Sequence, residues 1–523
     1  MRVETEKRAL LPRGPVRVGL AGALLLMLCL GTLFTLASPP FVSYDESAHA
    51  GYAVDVTEGR IPSVKETVKV EFPGQKPTRQ FVAQHPPLYY AIVGPILRLG
   101  RDHGHPIAAI RTARLFSVVL GLGVVTLTAV LAGIVVRRRR TQSMIIAAGL
   151  AACVPAYLGT ASVIHNDLLA VATAVLAYTG AIAALVDRPR RWNVAAVCVG
   201  SGLTMATRLS SIGPVLLACA ALGLAVLLRT DGPLGRRLVR GAGVGLLPIG
   251  VAAVTAGWFY QRNKQHYGDY SGMSYGWTVL RRADNYTPFS YLTDPKSLPD
   301  LLTRGEGGGP WRNPQWFGWW DQKLLALLLV ILAASASVEV VRVARRLWAQ
   351  RPWSRLVQDP DKLARIAVWG LLLALPVLAW LQLALYVAQT GTPNPRYLFA
   401  VLPAVAVVVA AAMRGFKGMW GAGVGVVAIS FQTYLVVTTG GRWLNDRLLL
   451  PRVNPLRQWE RSLAAADIPA PGAVLTLLLL GCAVGIGLQA KALWSAGRSP
   501  AVEGEAQTSP AAAPGAELAA VGS

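Results

Sequence analysis

The chain has 523 residues, of which 53% are hydrophobic and only 15% are charged. Soluble domains usually carry about 25% charged residues and disordered chains have few apolar ones, so this composition excludes both classes and indicates a polytopic membrane protein. The formal net charge of +24 is spread between apolar runs and forms no single basic face, which argues against a nucleic-acid partner. Lys and Arg collect in the cytoplasmic loops of membrane proteins, and this accounts for the excess.

Apolar runs of about 20 residues, the length that crosses a bilayer, recur along the chain. The first, 16–38, follows a basic N-terminal segment at 1–15 and precedes two prolines; we interpret it as an uncleaved span, with a signal peptide as the alternative. An all-α membrane domain is predicted over 16–498, and the Ala/Pro/Gly-rich residues 499–523 predict a disordered cytoplasmic tail. We predict about twelve spans, at residues 16–38, 113–136, 145–162, 168–186, 193–207, 211–228, 241–260, 324–341, 366–388, 397–413, 420–439 and 473–490.

The connections between these spans alternate in charge. Every second one is basic, as at 137–140 (RRRR), so these connections and both termini are predicted to face the cytoplasm. The opposite, extracytoplasmic connections include two long loops, 39–111 and 261–323. Loops of this length are usually functional. We expect short helices in them, including a surface-lying helix near 50–58 and an interfacial helix near 87–99.

Two polar clusters stand out in the first long loop. Residues 44–49 (YDESAH) place Asp45 and Glu46 just after the first span, where a carboxylate can act as a general base toward a hydroxyl or help to bind a cation. Acids at a helix start are also common caps, so that alternative stays open. Residues 84–90 (QHPPLYY) combine His85 with aromatic residues that also suit an interfacial belt.

Three further polar residues are predicted at span ends. Asp167 follows His-Asn at the tip of a helical hairpin, as a turn residue or as a functional acid. Arg208 lies between two short apolar runs, and Arg396 lies on a proline-fixed turn directly before a span. The guanidinium fork matches phosphate oxygens, although each arginine could equally anchor the chain at the lipid interface.

The order of these clusters resembles the GT-C superfamily of membrane glycosyltransferases, which use polyprenyl-phosphate-linked sugars. The nearest likeness is to a bacterial branch with a PDE-x-x-H segment, here at 44–49 with Tyr44 in place of proline, and an HPPLYY segment, here at 85–90. The resemblance runs from about residue 16 to about residue 415. Further echoes of the branch are at 165–167, 207–208, 258–263, 267–269, 316–319 and 395–399.

The resemblance implies an active site on the extracytoplasmic face, under the first long loop. Asp45 would be the base that deprotonates the acceptor hydroxyl as it attacks the anomeric carbon, with inversion. Glu46 would orient the acceptor or a cation, and Asp167 would be the acid of a later loop. Arg208 and Arg396 would hold the lipid phosphate, although proline precedes Arg396 where the branch has glycine. The remaining substrate-binding residues that the resemblance implies are His49, His85, Tyr89, Arg262 and Tyr397.

The sequence therefore predicts a multi-pass glycosyltransferase of a bacterial plasma membrane. It would move a hexosyl or pentosyl group from a polyprenyl-phosphate donor, its co-substrate, to a glycan, lipid or protein of the cell envelope. No cofactor is predicted, and a divalent cation at the carboxylates with His49 or His85 stays an open alternative. The competing interpretation is a non-catalytic permease, flippase or assembly scaffold for lipid-linked glycans. Transporters place ionisable residues near mid-span, whereas the acids and histidines here stand at span ends and in loops.

Overall fold

Helices make up nearly all of the regular structure in the part of the chain that this computed structural model describes. The described residues are 14–41, 44–273, 286–295, 359–389, 393–413, 419–448 and 453–498, with isolated positions between them. The predicted tail at 499–523, most of 1–15 and most of the predicted span at 324–341 lie outside these ranges. Within them, the β-pairing consists of one bridge, between Thr67 and Arg79.

The first half of the chain supplies the helices that surround the first long loop. In chain order these helices are α1 (Pro15–Ala37), α2 (Tyr44–Thr57), α3 (Leu88–Asp102), α4 (Pro106–Val135), α5 (Arg140–Ala152), α6 (Pro155–Ala161), α7 (Asp167–Val186) and α8 (Arg191–Met205).

The second half continues the same pattern of long apolar helices, with two short 3₁₀ turns before α9 and α13. These elements are a 3₁₀ turn (Leu209–Ser211), α9 (Ile212–Arg229), α10 (Leu234–Tyr267), α11 (Pro288–Thr293), α12 (Pro360–Ala388), a 3₁₀ turn (Pro395–Val401), α13 (Leu402–Ala412), α14 (Met419–Arg447), α15 (Pro455–Ala465) and α16 (Pro471–Arg498).

The described helices confirm an all-α polytopic membrane protein. Nine of them are long and apolar enough to cross a bilayer, or ten if the bent pair α5–α6 is one span. The pair bends by 60° because Pro155 forces the preceding Val154 into extended geometry. The predicted span at 193–207 coincides with α8, whose 15 residues are short of the roughly 20 that cross a membrane. The total of twelve spans stays a prediction.

The core of the bundle is built around α1 and α7. α1 packs against α16, α4 and α5, and α7 packs against α8, α9 and α4. α1 approaches α16 closely at two glycines: a Cβ on Gly22 would lie 2.5 Å from the carbonyl oxygen of Gly485. Small residues of this kind let membrane helices pack backbone against backbone.

The segment that links α1 to α4 forms a folded cap at one end of the bundle, which we call the loop end. The surface-lying helix predicted near 50–58 is wrong in position and burial: α2 begins at Tyr44, and Ala48, Tyr52 and Ala53 are fully buried. The cause is tertiary packing of α2 against α3. The helix predicted near 87–99 is present as α3, which buries Tyr89 and leaves Leu99 64% exposed.

Candidate active site

Asp45 lies in the first turn of α2, at the loop end, and its side chain is 25% exposed. Its Oδ2 accepts a hydrogen bond from Arg396 Nη1 at 2.8 Å and lies 3.9 Å from His165 Nε2. Burial acts to raise the pKa of the Asp45 carboxyl, but the charge of Arg396 and the contact with His165 outweigh it and hold that pKa well below its ordinary value. The group is therefore an ionised carboxylate that keeps partial access to solvent.

Glu46, the neighbouring acid, points away from Asp45 into the protein. It forms a buried ion pair with Arg114, in which both side chains are 0% exposed. Glu46 Oε1 accepts from Arg114 Nε at 2.7 Å and from the N–H of Ile164 at 3.0 Å. Glu46 Oε2 accepts from Arg114 Nη2 at 2.7 Å and from the N–H of Phe41 at 2.9 Å. Both oxygens are thus used to join the first loop, α4 and the α6–α7 connection.

Arg114 completes this junction by donating to the end of α1. Its Nη1 donates to the carbonyl of Ser38 at 2.6 Å, and its Nη2 donates to the carbonyl of Pro39 at 2.9 Å. Phe41, next along the chain, is held at φ 58°, a left-handed conformation that is strained for residues other than glycine. The Glu46–Arg114 pair therefore fixes the turn by which the chain leaves the first span and enters α2, which carries Asp45.

His165 connects Asp45 and Arg396 to a second carboxylate. Its Nε2 lies 2.9 Å from Arg396 Nη1, and its Nδ1 lies 3.1 Å from Asp167 Oδ2. The backbone N–H of Asp167 also lies 3.3 Å from His165 Nδ1, so the imidazole ring bridges Arg396 and Asp167. Arg208 pairs with the other oxygen of Asp167. We call Asp45, His165, Asp167, Arg208 and Arg396 the ion cluster.

The two arginines of the ion cluster meet at one aromatic ring. The guanidinium carbons of Arg208 and Arg396 lie 5.3 Å and 5.5 Å from the centre of the Tyr397 ring, within cation–π range. Beside them is a small cavity of about 20 Å³, roughly the volume of one water. Its lining includes both polar and apolar side chains, and consists of Asp167, Val171, Ser210, Ser211, Pro214, Ala379, Gln382, Arg396, Tyr397 and Ala400.

Two predicted histidines face the ion cluster in neutral form. The His49 ring lies 4.1 Å from the His165 ring, centre to centre, and its Nδ1 is 2.9 Å from the Tyr90 hydroxyl. Burial, followed by the charge of His165, lowers the pKa of His49 well below its ordinary value. Burial and the charge of Arg208 do the same to the pKa of His85. Both rings are therefore uncharged at neutral pH.

The structure does not bring every predicted site residue into the ion cluster. It brings together Asp45, His49, Asp167, Arg208, Arg396 and Tyr397, and it keeps His85 within their electrostatic reach. Tyr89 is buried behind the cluster, where its hydroxyl accepts from the N–H of His165 at 3.1 Å.

Arg262 is placed apart. It donates to the carbonyls of Ile61 and Pro62 at 3.3 and 3.1 Å, so it ties α10 to the first loop. Its predicted role in substrate binding stays untested, as do the roles of the other site residues.

Sequence reasoning passed over His165 and Arg114 as site residues. His165 stands next to Asp167 in the segment 165–167 that resembles the GT-C branch, so the signal was present. Arg114 lies inside an apolar run and had no signal except that a buried arginine requires a partner. In the ranges that the structure describes, no three His, Cys, Asp or Glu side chains converge as ligands for a metal ion. The cation considered from the sequence stays a prediction.

No model of a known protein family matches the chain, and no curated protein matches it. Among solved structures, the chain is similar to ArnT from Cupriavidus metallidurans bound to undecaprenyl phosphate, at 14% identity and a TM-score of 0.45, over 91% of this chain and 77% of that chain. The apo state of the same protein gives 13% identity and a TM-score of 0.45, over 89% of this chain and 73% of that chain.

The chain is also similar to the apo oligosaccharyltransferase from Archaeoglobus fulgidus, at 12% identity and a TM-score of 0.38. That likeness covers 88% of this chain and 56% of the oligosaccharyltransferase, so this chain spans little more than half of its length. With every TM-score below 0.5, nothing about substrate or mechanism is transferred from them.

Proposed function

We propose that this protein is a membrane glycosyltransferase of GT-C type, which moves a sugar from a polyprenyl-phosphate donor to a cell-envelope acceptor on the extracytoplasmic face. One observation carries the proposal. A partly exposed carboxylate, Asp45, lies 2.8 Å from the guanidinium of Arg396, and a second arginine, Arg208, lies across the same Tyr397 ring. A base beside two phosphate-binding groups is what sugar transfer from a lipid phosphate requires.

The proposed reaction needs each of these groups in turn. Asp45 accepts the proton of the acceptor hydroxyl, whose oxygen attacks the anomeric carbon from the face opposite the phosphate, so that the configuration inverts. The bond between that carbon and the phosphate oxygen breaks, and its electron pair goes to the leaving lipid phosphate. Arg208 and Arg396 stabilise the charge that grows on the phosphate. The glycan, lipid or protein that accepts the sugar is not specified by these groups.

The position of the ion cluster favours this function over a permease or flippase. Asp45, Asp167, Arg208 and Arg396 lie in the first loop, at a helix start and in short turns, at the loop end of the bundle. A pathway for a charged substrate would instead need ionisable groups near mid-span. The arrangement supports chemistry at the membrane surface.

Replacing Arg396 by alanine is expected to impair use of the donor far more than use of the acceptor. Loss of a charge-assisted contact to the phosphate should raise the donor KM by about 10- to 100-fold, while the acceptor KM stays within about twofold. Steady-state kinetics of the purified protein with each substrate varied in turn would measure both values. Arg98→Ala is the matched control, since Arg98 is an arginine of α3 with a side chain 49% exposed. Equal losses for both substrates would contradict the assignment.

The pH profile of sugar transfer should show the lowered pKa of Asp45. A base works only when deprotonated, and Arg396 and His165 lower the pKa of Asp45 against the effect of burial. Hence kcat/KM for the donor, which reports the free enzyme, is expected to stay flat between about pH 5 and pH 7. In Arg396→Gln the acid limb should move to higher pH. A wild-type limb near neutral pH would contradict Asp45 as the base.

A further inference from the structure

Arg396 is engaged by a carboxylate in the structure, and that carboxylate is the proposed base. Its Nη1 donates to Asp45 Oδ2 at 2.8 Å and lies 2.9 Å from His165 Nε2, and its Nε lies 3.7 Å from Asp167 Oδ2. The side chain is 16% exposed. The guanidinium proposed to bind the phosphate and the carboxylate proposed to take the proton are therefore paired with each other.

While the Asp45–Arg396 ion pair is intact, Arg396 cannot fully bind a phosphate and Asp45 cannot act as an effective base. Carboxylate and phosphate oxygens compete for the same guanidinium N–H donors, so the phosphate gains full use of Arg396 only if Asp45 gives up its contact. A carboxylate that keeps an arginine at hydrogen-bond distance is also a weak base, because the contact stabilises its ionised form. The two carboxylates of the ion cluster balance its two guanidinium groups, which leaves no excess positive charge for an anion.

Arg396 borders a second site besides Asp45, namely the small cavity next to the ion cluster. Its backbone is fixed, since its N–H donates to Asn394 Oδ1 at 3.0 Å at the start of a 3₁₀ turn. Its side chain contacts Asp45 and also lines the small cavity, together with Ser210 and Ser211. The lining combines these two hydroxyl groups with apolar side chains, and the cavity must widen beyond its volume of about 20 Å³ to admit a phosphate that is attached to a lipid.

We infer that the donor phosphate displaces Asp45 from Arg396, so that binding of the lipid-linked donor releases the base. The inference rests on the proposed function and adds an order to it: the donor binds first, and Asp45 then becomes competent to deprotonate the acceptor. His165 is the positioning residue of the exchange, because its Nε2 contacts Arg396 while its Nδ1 contacts Asp167. Before donor binding, Asp45 is held inactive toward the acceptor.

Isothermal titration calorimetry of farnesyl phosphate with the full chain in detergent tests the exchange without any turnover. Asp45→Asn is expected to bind the probe about tenfold more tightly than the wild type, because Arg396 loses the nearer of its two carboxylate partners and keeps only Asp167, at 3.7 Å. Arg396→Gln should bind it about tenfold more weakly. In the Arg396→Gln background, Asp45→Asn should bring no gain, since no guanidinium remains to be released. A gain of the same size in both backgrounds would show simple charge repulsion and would overturn the exchange, as would no gain in Asp45→Asn alone.

Controls separate the exchange from trivial causes. Asp55→Asn removes an acid from the same helix that pairs with Arg60, about 15 Å further along α2, and should leave affinity unchanged. Farnesol, which lacks the phosphate, should bind all variants alike; a gain for farnesol in Asp45→Asn would overturn the exchange.

Inorganic phosphate should bind at least about tenfold more weakly than farnesyl phosphate, and equal affinities would overturn the lipid-linked assignment. If Arg396→Gln does not fold, Arg396→Lys should reduce the gain, and an undiminished gain would count against the exchange.

The binding measurements test the exchange and the activity measurement tests the proposed function, so each proposal can be contradicted without the other. If Asp45→Asn abolishes sugar transfer but brings no gain in phosphate affinity, the proposed function stands and the exchange is wrong. If the gain depends on Arg396 but Asp45→Asn still transfers sugar, the exchange at the phosphate site stands and Asp45 is not the base.

Discussion

Replacement of Asp45 by asparagine is expected to lower sugar transfer by about 10²- to 10⁴-fold, the usual contribution of a general base, while the protein still folds and inserts. Asparagine keeps the size of the side chain and one carbonyl oxygen for Arg396, but it cannot accept the proton of the acceptor hydroxyl. Fold and yield should stay close to those of the wild type, because the Asp45 side chain is 25% exposed and asparagine has nearly the same shape. Transfer of labelled sugar in membranes, normalised to the amount of protein, measures the effect.

The control for this substitution is Asp55→Asn, in the same helix and also paired with an arginine. It should retain transfer within about twofold, since its partner Arg60 is 39% exposed and keeps a second carboxylate partner in Glu66. Retained transfer in Asp45→Asn would show that Asp45 is not the base. Equal losses in both variants would show that α2 as a whole had been disturbed.

Replacement of Glu46 by glutamine is expected to destabilise the fold by about 3–5 kcal/mol, because it leaves the guanidinium of Arg114 buried without a counter-charge. Both side chains of the pair are fully buried, so water cannot take over. The expected result is a large fall in the yield of monodisperse protein and in the thermal unfolding temperature in detergent. Glu58→Gln, whose carboxylate is 36% exposed, is the matched control and should behave like the wild type.

The double variant Glu46→Gln/Arg114→Gln separates a structural role of Glu46 from a chemical one. Removing both charges avoids the unpaired buried ion, so part of the lost stability should return. If Glu46→Gln instead folds as well as the wild type and loses only activity, Glu46 takes part in the chemistry, as the GT-C resemblance implies. That result would contradict the structural role that its four contacts indicate.

The spans were predictable because each depends on a local property of the sequence. An apolar run such as 168–186 is long enough to cross a bilayer, and the structure has a helix there, Asp167–Val186. The bend after α5 was missed because residues 145–162 read as one apolar run, and Pro155 was not treated as a break. Burial of α2 was missed because its partner, α3, is distant in sequence and no local sequence pattern indicates that contact.

The site was only partly predictable, for the same physical reason. Polar residues at span ends and in loops can be listed from the sequence, and six of those that were selected meet at the loop end. Which residue pairs with which could not be derived, because Asp45 and Arg396 are 351 positions apart and Glu46 and Arg114 are 68 apart. Two adjacent acids with the same local signal thus proved to have opposite environments: Asp45 is partly open to solvent, and Glu46 is sealed inside the fold.

Analysis of lipid-linked sugars and envelope glycans tests the central claim most directly. It would compare cells that lack the gene with the same cells complemented by the wild type or by Asp45→Asn. The proposed function predicts that one polyprenyl-phosphate-linked sugar accumulates in the deletion strain and with Asp45→Asn, and that the wild type restores its transfer to the glycan. Unchanged donor and glycan levels in the deletion strain would contradict a glycosyltransferase, and full rescue by Asp45→Asn would contradict the site.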